Sequence, residues 1–199
     1  HIHDTNHWIE IAIALNIIPE THAIIFDMVK SVQSRGIKVA TLLLQRILPL
    51  GRAKNTFEYE VKTPQVNLAL ESITRVEKEL GINISVGDPY PLCCIDEKYH
   101  KYMEGCPEGR TRIPIGGDGG VSCCGAVQDY VGGNILIDSY EDVWTNSPMF
   151  NEFRNLTYLQ HERCKICPLR EKCGGGCPVS CKIFSAQGLD FIKVFKEGK

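Results

Sequence analysis

CKICPLREKCGGGC, residues 164–177, is the stretch from which the rest of the chain is best read. Its cysteines, Cys164, Cys167, Cys173 and Cys177, follow the spacing C-x2-C-x5-C-x3-C, and Gly174, Gly175 and Gly176 fill the last gap. Such spacing brings several thiolates within reach of one metal centre. Glycines between them let the backbone approach the sulfurs and turn N–H groups toward them. Packing alone rarely calls for that pattern, so the segment predicts a metalloprotein.

Ten cysteines in 199 residues, crowded into the second half, admit three readings. A disulfide framework serves small secreted domains that lack a core, and this chain is long enough to have one. Structural zinc is usually held by C-x2-C pairs, but a zinc ribbon uses four ligands in two separated pairs, and more cysteines are present than one zinc needs. Iron–sulfur ligation suits the spacing better, and the Cys177-Pro178 step also ends the bacterial ferredoxin run. A hydrophobic fraction of 43% and a net charge of −2 describe an ordinary globular chain and give no sign of nucleic-acid or membrane affinity. No apolar stretch approaches the roughly 20 residues of a membrane span and nothing resembles a signal peptide, so a cytoplasmic location is expected. The chain opens on His1 rather than Met, and it reads as part of something longer.

Residues 1–88 read as α/β. Ile9 to Ile18 is a near-continuous apolar run, as in a parallel strand covered on both faces. Thr21 is the expected N-cap of a helix reaching Arg35, with Gly36 as its stop. Val39 to Leu48 is a second strand. Thr63-Pro64 opens a helix with Val66, Leu70, Ile73, Val76 and Leu80 on one face and Gly81 beyond it, and Ile82 to Val86 is a third strand. This order implies right-handed crossovers and a parallel sheet. Three parallel strands leave edges unpaired, which a missing N-terminal portion or a partner chain would cover.

From residue 89 onward regular structure thins. Cys93 and Cys94 follow a Pro-rich turn, and Arg112 to Ile115 and Val121 to Cys124 read as the arms of a hairpin turning at Gly116 to Gly120. Gly133 to Ile137 reads as another short strand. Ser139 caps a helical turn with Asp142 in the capping-box position, and Ser147-Pro148 starts a short helix. Trp144, Phe150 and Phe153 read as core. His100 and His161 read as solvated side chains, and His1, His3 and His7 carry no expected function.

Cys106, twelve residues, Gly119, four residues and Cys124 match the first half of a family pattern, C-x(9–15)-G-x4-C; residues 164–177 match the second half without adjustment. Over residues 90 to 182 the chain resembles the SPASM domain, the module that carries auxiliary iron–sulfur clusters in many radical S-adenosylmethionine enzymes. QRILPLGRAK, beginning at Gln45, is similar to the last part of the partial (β/α)6 barrel of those enzymes. The resemblance implies an α/β segment, the closing strand–helix units of that barrel at residues 1–88, followed by a small irregular α+β cysteine-ligated module at 89–199. It departs from the family in lacking the C-x3-C-x2-C run that holds the cluster chelating S-adenosylmethionine. Cys173, Cys177 and Cys181 are spaced C-x3-C-x3-C instead.

The resemblance further implies two auxiliary [4Fe-4S] clusters with interleaved ligands. One takes Cys106, Cys124 and Cys177 with Cys93, or Cys94 in its place; the other takes Cys164, Cys167 and Cys173 with Cys181. Cys123 is left over. S-adenosylmethionine and a third cluster would belong to the full-length parent, and this chain alone is expected to be inactive in S-adenosylmethionine cleavage. The implied parent is a peptide- or protein-modifying maturase, supplied with electrons by a donor such as ferredoxin or flavodoxin. Rival readings are a tetrapyrrole-modifying enzyme of the same class, a truncated iron–sulfur electron-transfer module, and a structural zinc protein.

Overall fold

A computed structural model describes residues 10–53, 61–160, 162–186, 190, 192–193 and 196. The expected start of the first strand at Ile9 and the residues His1, His3, His7 and His161 lie outside these. The chain divides into two compact units, one of residues 1–88, 93–103 and 192–199 and the other of residues 89–92 and 104–191. Among the described residues no helix is long and apolar enough to cross a membrane.

The first unit is a parallel sheet in the order β1 (Ile11–Ile17), β2 (Val39–Arg46), β3 (Asn83–Val86), connected by α1 (Ile25–Gln33) and α2 (Thr63–Leu80). The strands start and stop close to their expected limits because β-branched and leucine runs fit the pleat and turn residues bound them. One expectation fails: β1 is not covered on both faces. Ala12, Ala14 and Asn16 are exposed, while Ile11, Ile13 and Leu15 are only half-buried. Among the described residues β1 is an edge strand, with a neighbour on one side only. A groove of about 530 Å³, lined by Ile13, Leu15, Ile24 and Met28 among others, runs between it and α1.

Helix α1 also begins three residues later than the sequence implies, because its N-cap is Ile24 and not Thr21. The Thr21 hydroxyl accepts a hydrogen bond from the Ile18 amide (3.1 Å) and donates to the Asn16 carbonyl (2.7 Å), closing the turn that leaves β1. Local side-chain bonding of this kind competes with helix formation. Helix α2 behaves as expected. Gln65 reaches back to the Lys62 amide (2.9 Å), Pro64 occupies the first turn, and Gly81 ends the helix with φ of 66°, a left-handed value that suits glycine. Ile25, Phe26 and Val29 of α1 and Leu70, Ile73 and Val76 of α2 are buried, and the Arg75 guanidinium lies 3.8 Å over the Phe26 ring.

The second unit is built on a two-stranded antiparallel ladder, β4 (Gly120–Cys124) with β5 (Val127–Asn134). The sequence points to a different partner for β4. The segment before it contributes only a bridge from Ile115 to Val121 and a bond from the Ser122 amide to the Pro114 carbonyl (3.1 Å), while residues 116–120 form the expected turn. The true hairpin turns at Gly125-Ala126. Gly133 to Ile137 is likewise not a strand throughout, because Ile135 to Ile137 form a turn. Asn134 directs this. Its side-chain oxygen accepts from the Leu136 amide (2.9 Å), and its own amide donates to Asp138 (2.8 Å), so the backbone bends where a strand would continue.

Ser139 and Asp142 bond reciprocally, as the capping pattern implies, and start a π-helical turn, Asp142–Asn146. Helix α3 (Pro148–Gln160) follows and buries Phe150 and Phe153 completely, while Trp144 is half-buried and stacks on Tyr140. Short helices α4 (Glu162–Lys165) and α5 (Arg170–Cys173) frame the cysteine loop, and α6 (Pro178–Ala186) leaves it.

Candidate metal centre

Cys106, Cys124 and Cys177 come from three distant parts of the second unit: a loop, the end of β4, and the residue before α6. All three are buried, and they are close enough to act on one another. Burial pushes the Cys106 thiol up to about 12, and the neighbouring Cys177 and then Cys124 push in the same direction, against a backbone hydrogen bond at Glu108. Cys124 is raised by burial and by Cys177, and the Ala126 amide partly offsets this. Burial resists ionisation of Cys106 and Cys124, so bare thiolates there are costly, and a metal centre that takes them as ligands removes that cost.

Strand geometry separates the two adjacent cysteines of β4, because successive side chains point to opposite faces. Cys123 is wholly buried on the other side, near Arg154 of α3. Burial raises it to about 11, while the Arg154 charge acts the other way.

Residues 164–177 form a chain of tight turns. The Cys167 amide bonds the Cys164 carbonyl (3.3 Å), the Arg170 amide bonds the Cys167 carbonyl (3.1 Å), and α5 carries Cys173 at its end. Gly174, Gly175 and Gly176 all have positive φ, from 59° to 79°. Three consecutive left-handed residues are strained for any side chain but hydrogen. A Cβ on Gly176 would also stand 2.9 Å from the Pro91 nitrogen and 3.0 Å from the Pro89 carbonyl oxygen, so the Pro-Tyr-Pro segment closes over the loop. One amide contact to sulfur comes from outside the glycine run. The Leu92 N–H donates to Cys173 Sγ (3.3 Å), whereas the Gly174 and Gly176 amides donate to the carbonyls of Arg170 and Cys173. The Pro-rich run 89–91 before Leu92 is the sequence signal that marks this backbone approach.

Cys164, Cys167 and Cys173 are half-buried. Cys181 is fully buried in the first turns of α6, where its amide bonds the Cys177 carbonyl (3.1 Å). Cys94 is buried and Cys93 exposed, with their sulfurs 3.9 Å apart. Among the described residues, no three His, Cys, Asp or Glu side chains stand as a ready set for a single metal ion. The donor chemistry, all thiol and backed by a backbone N–H to sulfur, nevertheless fits an iron–sulfur group. His100, expected to be solvated, is half-buried.

The raised thiols give the cluster-free chain a pH signature. An unfolded cysteine ionises near the ordinary 9.0, whereas folded Cys106 keeps its proton until about 12. Between those values the unfolded state binds fewer protons, so stability present below about pH 9 falls as pH rises. Urea titrations of the metal-free protein between about pH 8 and about pH 10.5 should show a falling midpoint, and Cys106→Ala should flatten the slope. A midpoint that rises over this interval would contradict the burial of these thiols.

Residues 106–168 match the SPASM family model, an iron–sulfur cluster-binding domain. Two curated relatives, both PqqA peptide cyclases, are similar over 88 residues: that of a Methylobacterium species (strain 4-46) at 32% identity and that of Methylobacterium nodulans at 31%. Each match covers 42% of this chain and 23% of the relative, so the shared stretch spans about a quarter of the relatives' length. The solved structure of anSMEcpe with bound AdoMet superposes with a TM-score of 0.55 at 18% identity, covering 87% of this chain and 50% of that one, which establishes a shared mixed α/β fold. The chain thus resembles radical S-adenosylmethionine proteins that carry a SPASM domain.

Proposed function

We propose that this chain is the auxiliary-cluster-bearing part of a radical S-adenosylmethionine enzyme that modifies a peptide. The observation that carries the proposal is the match of residues 106–168 to the SPASM iron–sulfur domain, and the electrostatic influence of Cys177 on the buried Cys106 and Cys124, far from it in sequence, supports a shared cluster. These three, with an upstream thiolate from Cys93 or Cys94, hold one [4Fe-4S] cluster. Cys164, Cys167, Cys173 and Cys181 hold the other. When bound, such clusters supply one-electron chemistry at potentials set by burial and hydrogen bonds to sulfur. The protein's share is to tie the hairpin to the cysteine loop, to present the Leu92 N–H to Cys173, and to keep water from the buried thiolates.

A peptide substrate is supported by the similarity to PqqA peptide cyclases. The α/β unit supports a partial barrel: its sheet is parallel, its helices connect successive strands, and the face of β1 stands open beside an apolar groove. We assign residues 1–88 to that barrel, 89–199 to the cluster module, and the whole to the cytoplasm. The radical-generating step needs the C-x3-C-x2-C run that this sequence lacks. Reconstituted and reduced, the chain alone should therefore form no 5′-deoxyadenosine from S-adenosylmethionine, as followed by liquid chromatography. Its formation would overturn the assignment of this chain to the accessory half.

A further inference from the structure

Residues 162–173 carry exposed apolar side chains in a stretch rich in cations. Ile166 is 87% exposed and Leu169 39%, between the half-buried sulfurs of Cys164, Cys167 and Cys173. The same stretch holds Arg163, Lys165, Arg170 and Lys172 against only two carboxylates, Glu162 and Glu171, in a chain whose net charge is −2. Lys165 pairs with Glu162 and Arg170 with Glu171. Arg163 and Lys172 are exposed and have no carboxylate partner among the described residues. Long apolar side chains bracketed by unneutralised cations suit a transient interface that is steered electrostatically and sealed by a small dry centre.

We infer that residues 162–173 are the docking surface for a small acidic electron-carrier protein. This rests on the proposed function, because the loop it covers is the one assigned to the second cluster. Charge selects this face over the other exposed apolar run, Leu136, Ile137 and Tyr140. That run is bordered by Asp138, Glu141 and Asp142 and repels an acidic partner. Docking on Ile166 sets the carrier one residue from Cys167 and two from Cys164, which shortens any electron path between the two proteins.

The test is calorimetric titration of the anaerobically reconstituted chain with an acidic [2Fe-2S] ferredoxin, at low and at high salt. Affinity should fall with salt. Arg163→Glu combined with Lys172→Glu should weaken binding by about tenfold or more. Ile166→Ser should also weaken it, and Leu136→Ser should leave it unchanged. Iron and labile sulfide are assayed on every sample. Variants with intact clusters that bind ferredoxin as the unaltered chain does would overturn the docking surface alone. So would salt-sensitive binding of a substrate-like acidic peptide in place of ferredoxin. A chain that takes up no sulfide would overturn the iron–sulfur reading, and the docking surface with it.

Discussion

Replacing Cys177 with Ala should remove about half of the iron and sulfide from the reconstituted chain, while the Cys164→Ala variant should lose the other half. Sequence proximity argues the opposite, since Cys177 lies four residues from Cys173 and seventy-one from Cys106. The proposed interleaving rests instead on electrostatics, because the buried Cys106 and Cys124 thiols both respond to Cys177. In the proposed ligation each cluster cross-links separate segments, so either loss should also lower the unfolding temperature, as metal removal does in small metal-held modules. Iron and sulfide analysis with electron paramagnetic resonance of the reduced variants distinguishes the two signals. A Cys177→Ala chain whose remaining signal is abolished by Cys106→Ala but untouched by Cys164→Ala would reject the interleaving.

The second large effect concerns packing. Phe150→Ala should destabilise the reconstituted chain by about 3–5 kcal/mol, read as a shift in urea denaturation. Phe150 is wholly buried, its ring sits 5.8 Å from that of Trp144, and Arg154 lies over it at 5.3 Å. Gly132 of β5 fits it so closely that an added Cβ would stand 2.3 Å from the ring, so the missing side chain leaves a cavity that β5 cannot readily fill. A loss below about 1 kcal/mol would mean that this region collapses freely and that the ladder is not anchored on α3.

The parallel sheet was legible because its signals are local: apolar runs of strand length, a Thr-Pro helix start, and Gly81 as a stop. Phe150 and Phe153 were legible as core for the same reason. What sequence misplaced depends on side chains that compete with the backbone. Thr21 turns the chain instead of capping α1, and Asn134 bends residues that have the composition of a strand. The partner of β4 was hidden because both neighbouring segments alternate suitably and only tertiary pairing chooses between them. At the candidate metal centre, cysteine spacing singles out the residues proposed as ligands. It did not reveal that the Leu92 amide, eighty-one residues from Cys173 in sequence, bonds that sulfur.

The central claim, that these thiols hold two iron–sulfur clusters, is tested most directly by the metal and acid-labile sulfide content of the anaerobically reconstituted chain. The account predicts about eight irons and about eight sulfides per chain, with broad absorbance near ~400 nm. Stoichiometric zinc with no labile sulfide, in protein reconstituted with iron, would contradict it.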